Sequence, residues 1–164
     1  MTSKKSSLQY FQECLDQLHN ASRWLERSYH QCVAFQLNAK LTEAQFDSLE
    51  NLSSRFARVT DLLLSKTYRA LDLVELMEPG SLIDTINRAV KRDLIESAEL
   101  ARTLKDIRNE IVHEYVVEDL QALQQEVLAH TKTLLELVEK VSGYAQRQSL
   151  AGSASGNQAF QAGN

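Results

Sequence analysis

Apolar positions recur at helical spacing along nearly the whole chain. Near the start, Leu8, Leu15, Ser22 and Tyr29 fall seven apart, with Phe11, Leu18, Leu25 and Cys32 as the companion row. Further on, Leu49, Phe56, Leu63, Ala70 and Met77 form one row, while Leu52, Val59 and Leu73 form another that Lys66 interrupts. A third stripe pairs Leu120, Val127, Leu134 and Val141 with Leu123, His130, Leu137 and Tyr144. Stripes of this period predict amphipathic helices that bury one face against one another. No stretch alternates apolar and polar residues as a half-buried strand would. The expected fold is all-α, an antiparallel bundle of about five helices.

Capping chemistry sets the expected boundaries. After a break near Asn38–Leu41, Thr42 and Gln45 form a capping box that opens the long second helix. Pro79-Gly80 is the strong breaker in the body of the chain, and Ser81 is placed to cap a short third helix. Ser97 with Glu99 opens a fourth, expected to run to about Tyr115. Glu118 and Asp119 suit the first turn of a fifth, where negative charge meets the helix dipole. The bundle is expected over residues 1–148. Residues 149–164 are mainly Ala, Ser, Gly, Gln and Asn, with Leu150 and Phe160 as the large apolar residues, and are expected to form a flexible tail.

Composition narrows the class. With 164 residues and 43% hydrophobic content, the chain suffices for one domain with its own core. The net charge of −4 argues against a protein coated in positive charge for duplex DNA. No run approaches a membrane span, and Met1–Ser7 is polar, so a soluble, cytosolic protein is expected. Cys14 and Cys32 are expected to be reduced. On one continuous helix they lie roughly 27 Å apart, too far for a disulfide. From Arg88 to Arg108 six basic residues face four acidic ones, and from Glu118 to Lys140 five acidic residues face two basic ones. This asymmetry is that of a mixed surface, or of one that steers a polyanion. His130 sits on an apolar row and reads as a core or interface histidine.

Candidate chemistry lies on the fourth helix, which reads Ile107-Arg108-Asn109-Glu110-Ile111-Val112-His113-Glu114-Tyr115. Leu100, Leu104, Ile107, Ile111 and Tyr115 share its core side, and Asn109 and His113 are neighbours at i and i+4 on the flank. An arginine, an amide and an imidazole on one edge suit phosphate chemistry. Arg108 offers a planar fork, His113 an imidazole able to move a proton, and Asn109 a positioning amide. The same spacing also fits a surface Arg108 paired to a nearby carboxylate beside a solvated His113.

This segment resembles the Arg-x4-His-x-Tyr signature of the HEPN superfamily, and more narrowly the HepT-type toxins of HepT/MntA toxin–antitoxin systems. Ser54-Arg55-Phe56-Ala57-Arg58-Val59 with Asp61-Leu62-Leu63, then Ile83-Asp84 with Ile86-Asn87-Arg88-Ala89, resemble HepT-type segments in the same order. The likeness runs from about Leu8 to Tyr144. It implies a HEPN-like bundle acting as a homodimer and as a metal-independent endoribonuclease on RNA, not DNA, with no cofactor. Carried over, His113 would be the general base or acid at the ribose 2′-hydroxyl and the leaving oxygen. Arg108 would stabilise the phosphorane, and Asn109 would position the histidine or the phosphate. Tyr115 would be the tyrosine AMPylated by a nucleotidyltransferase antitoxin of the MntA type. Its helical angle equally fits an ordinary packed tyrosine. Val112 stands where such proteins often carry alanine, which bears on how closely two motif helices approach. Two other readings remain: a non-catalytic substrate-binding subunit of a nucleotidyltransferase, and a structural bundle without a site.

Overall fold

The computed structural model of the protein describes residues 4–113 and 119–152. Helix α1 spans Lys4–Cys32, α2 Glu43–Asp61, α3 Tyr68–Val74, α4 Leu82–Lys91, α5 Ala98–Val112 and α6 Leu120–Arg147. A π-helical segment, Leu62–Thr67, joins α2 to α3 without a break, which makes five helical rods. No strand occurs among the described residues.

The expected starts are built as the sequence chemistry demands. Thr42 and Gln45 close a reciprocal capping box on α2, and Ser81 and Asp84 close another on α4. The Ser81 hydroxyl and backbone N–H hold the Asp84 carboxyl below its ordinary range. Ser97 accepts from the Leu100 N–H on α5, and Asp119 from the Ala122 N–H on α6. Each cap satisfies a donor that the first helical turn cannot.

α1 is the central post. It runs antiparallel to the α2–α3 rod, with Trp24 meeting Arg55 towards one end and Tyr10 facing Arg69 towards the other. It is likewise antiparallel to α6, where His19 meets Ser142 and Gln12 donates to the Leu150 carbonyl. α5 packs on α2 and α6, and α4 bridges α3 and α5. Phe11, Leu18, Leu25, Leu49, Phe56, Leu63, Tyr68 and Leu104 are fully buried where these rods meet.

Two expected stripe positions fall outside this core. Leu73 and Met77 are exposed, at 38% and 40%. Met77 lies beyond the end of α3, and Leu73 is turned outward by the π segment, which adds one residue to a turn. The row begun by Leu52 and Val59 therefore continues through Thr67 and Val74, both buried, while Lys66 and Leu73 turn outward.

Two ends also differ from expectation. α5 ends at Val112 with His113 as its C-cap, short of Tyr115; Ile111 is half-buried and Val112 is 49% exposed. At the other end, Ser149–Gly152 are described and turn back, Leu150 packing half-buried against the core. The rest of the expected tail lies outside the described residues, as do Glu118 and Tyr115.

The two cysteines are free and buried, and burial pushes both thiols up in pKa. His130 is half-buried on α6 and its Nδ1 lies 2.9 Å from the Glu126 carbonyl oxygen, the structural role its position implied.

Candidate functional site

Arg108 lies on the last turns of α5, where that helix crosses the end of α2. Its guanidinium is clasped side-on by Asp61, with Nε donating to Oδ1 at 2.9 Å and Nη2 to Oδ2 at 2.9 Å. The side chain is 27% exposed, so this pair sits at a half-open rim. Nη1 donates to Asn109 Oδ1 at 3.3 Å. Of the five guanidinium N–H bonds, those on Nε and one each on Nη1 and Nη2 meet partners among the described residues. The remaining ones sit on Nη1 and Nη2, the pair that grips a phosphate end-on.

His113 is the C-cap of α5. Its backbone N–H donates to the Asn109 carbonyl at 2.9 Å, and its side chain is exposed. Among the described residues no hydrogen bond joins its ring to Arg108 or Asn109. The structure therefore brings Arg108 and Asn109 into contact and leaves His113 one turn away on the same helix end. Asn109 turns its side chain to the arginine and not to the imidazole. Tyr115 follows outside the described residues.

Beside this cluster runs an open groove of about 660 Å³, lined by Glu50, Ser54, Ala57, Arg58 and Asp61 from α2, Leu62 and Lys66 from the π segment, and Ile111 and Val112 from α5. Its floor is apolar and its rim carries charges of both signs. The wide π turn sets Leu62 and Lys66 on the same wall as Asp61, and such turns are frequent at functional sites.

Asp61 follows directly on the Ser54–Thr60 stretch of α2, and no sequence motif assigns it a role. Nothing local signals its partner, since 47 residues separate it from Arg108. A second unforeseen cluster ties together α3, α4 and α6. Buried Asp72 accepts from Arg88 and Arg92, Arg92 also grips Glu75, and Tyr144 donates to Glu75. Burial opposes the Arg92 charge, but the two carboxylates outweigh it and hold its pKa above the ordinary value. The i, i+3 acids Asp72 and Glu75 and the i, i+4 bases Arg88 and Arg92 were complementary pairs visible in the sequence. Three of the six basic residues between Arg88 and Arg108 are thus neutralised within the chain, and the asymmetry there is largely structural.

Among the described residues no group of three His, Cys, Asp or Glu gathers to hold a metal ion, and no helix is long and apolar enough to cross a membrane. Compared with protein-family models, curated proteins and solved structures, the chain finds no match.

Proposed function

We propose that the chain is a HepT-type ribonuclease toxin of the HEPN superfamily, acting on RNA as a homodimer in the cytosol and silenced by a nucleotidyltransferase antitoxin. One observation carries the reading. A guanidinium held rigidly by Asp61, with N–H bonds to spare, stands at the same helix end as an exposed imidazole, beside an open groove.

In this reading His113 takes the proton of the ribose 2′-hydroxyl. The 2′-oxygen attacks the phosphorus, the bond to the 5′-oxygen breaks, and that oxygen leaves as a 5′-hydroxyl with a proton given back by the protonated His113 of either protomer. The products are a 2′,3′-cyclic phosphate and the freed 5′ end. Arg108 stabilises the charge that gathers on the phosphorane. Asn109, hydrogen-bonded to Arg108, supports the guanidinium. AMPylation of Tyr115, two residues beyond His113 in the sequence, would add a bulky anion that repels the RNA backbone.

The test is cleavage of total RNA in the presence of EDTA by freshly made protein whose Tyr115 is shown by mass to be unmodified. Arg108→Ala and His113→Ala are each expected to lose about a hundredfold or more in rate, and the parent to leave cyclic phosphate ends. Retained cleavage in either variant would overturn the assignment.

A second reading is favoured by the Asp61 clasp itself, which is also what a purely structural ion pair looks like. In it the chain is a non-catalytic substrate-binding subunit of a nucleotidyltransferase. Absence of cleavage by unmodified parent protein, together with capture of that enzyme, would select it.

A further inference from the structure

Outside the groove, the most unusual surface lies across α1 and α2. Trp24, the one tryptophan of the chain, stands 52% exposed. Two guanidinium groups approach its ring, Arg55 at 5.2 Å and Arg27 at 5.7 Å from the centroid. Arg55 is anchored, donating to Ser28 Oγ and, at 3.4 Å, to the Trp24 carbonyl. Arg27 makes no hydrogen bond or ion pair among the described residues, so the ring alone holds it. Arg23 stands one turn from Arg27 on α1 and Arg58 one turn from Arg55 on α2, both exposed.

None of these four arginines meets a carboxylate among the described residues. Arg88, Arg92 and Arg108 all do. A chain of net charge −4 thus gathers four unneutralised guanidinium groups around its only exposed indole. Arg58 also lines the groove beside Asp61, so the patch runs into the candidate site across the outer face of α2.

The chemistry selects the occupant. A second copy docked here through the same face would set two arginine clusters against each other. Single-stranded nucleic acid supplies what the patch lacks, phosphates for the guanidinium groups and a π-face for the ring.

We propose that Trp24, Arg27 and Arg55 form an accessory stacking site for single-stranded RNA, which holds the strand beyond the groove that runs beside Arg108 and Asp61. A base takes the place of Arg27 on the indole, and Arg27 swings to the adjoining phosphate. Arg55, fixed by Ser28, keeps the ring oriented. This rests on the reading of the chain as an RNA-acting protein, but its readout is binding and not cleavage.

The test uses the full chain carrying His113→Ala, so that RNA stays whole. A labelled oligouridine is titrated while its anisotropy and the emission of Trp24 are followed together. Emission is expected to fall in step with the rise in anisotropy. Trp24→Leu is expected to weaken binding about tenfold or more, the weight of one stacked base, and Trp24→Phe to recover most of it. Arg23→Ala with Arg27→Ala should flatten the salt dependence of the affinity. Saturating anisotropy with unchanged emission, or equal affinity in Trp24→Leu, would overturn the proposal. So would the absence of any binding, or equal quenching by duplex RNA. The two readings separate cleanly. Cleavage by the parent without quenching sinks only the accessory site, and quenching without cleavage sinks only the nuclease.

Discussion

Arg108 and Asp61 show what a single side-chain pair decides. Side-on contact fixes the guanidinium plane without using all its donors, so Asp61 orients the group that the proposed chemistry needs. Replacing Asp61 by Asn keeps the shape and removes the charge. RNA cleavage is expected to fall about tenfold, as for other losses of positioning, while stability changes by no more than about 1 kcal/mol at so open a site. Parallel rate and melting measurements on Asp61→Asn check both halves. An unchanged rate would make the pair structural only. The motif residues themselves were legible, because Arg108, Asn109 and His113 lie within one helical segment whose period fixes their faces. Asp61 was not, because its link to Arg108 exists only once α2 and α5 are packed.

At the scale of the element, helix starts were legible and helix stops were not. Starts announce themselves through Thr42, Ser81, Ser97 and Asp119. The stops of α3, α4 and α6 each place a residue in the left-handed region, yet none is glycine: Leu76 at φ 58°, Asp93 at φ 59° and Ser149 at φ 55°. All three close the same six-residue bond pair. Met77 donates to the Asp72 carbonyl, Leu94 to Ala89 and Leu150 to Ala145, each with the partner bond one residue earlier. Pro79-Gly80 looked like the stop, but the rod had already ended at Val74. Leu76 is the costly case, a branched side chain in that backbone region and 74% exposed. Leu76→Gly is expected to stabilise the fold by about 0.5–1 kcal/mol, since it relieves strain and loses almost no burial. Denaturant midpoints of parent and variant check the sign, and a lower midpoint would show that Leu76 packs on something.

For the whole molecule, the all-helical bundle followed from three stripes that any five-rod arrangement must bury. The order of packing around α1 did not follow, because it depends on which stripe is widest and on charge pairs between rods. The buried titratable groups give the assembly a pH signature. Burial raises the pKa of Cys14 and Cys32, and it raises Tyr68 further still. Burial, and then the neighbouring Glu75, raise Tyr144. All four favour the neutral form when folded, so the unfolded chain sheds these protons first. Their contribution is fully present below about pH 8.5, the ordinary thiol value, and is lost as pH rises through the raised folded values. Thermal midpoints should hold steady up to that point and then decline through the tyrosine range. A midpoint that stays flat to about pH 11 would contradict the burial of these groups.

The wide turn at Leu62–Thr67 leaves the two halves of one long rod out of phase by a single residue. Excising Lys66, which is exposed, would bring them back into step. Val59, Thr67 and Val74 would then fall on one unbroken heptad ladder, with the same side chains inside. A shortened chain lacking Lys66 is therefore expected to fold to the same bundle and to melt no lower than the parent. Its groove, however, would lose the lysine and the wide turn that follows Asp61. Stability and activity would part company in a one-codon deletion, and a melt beside an RNA digest would show it.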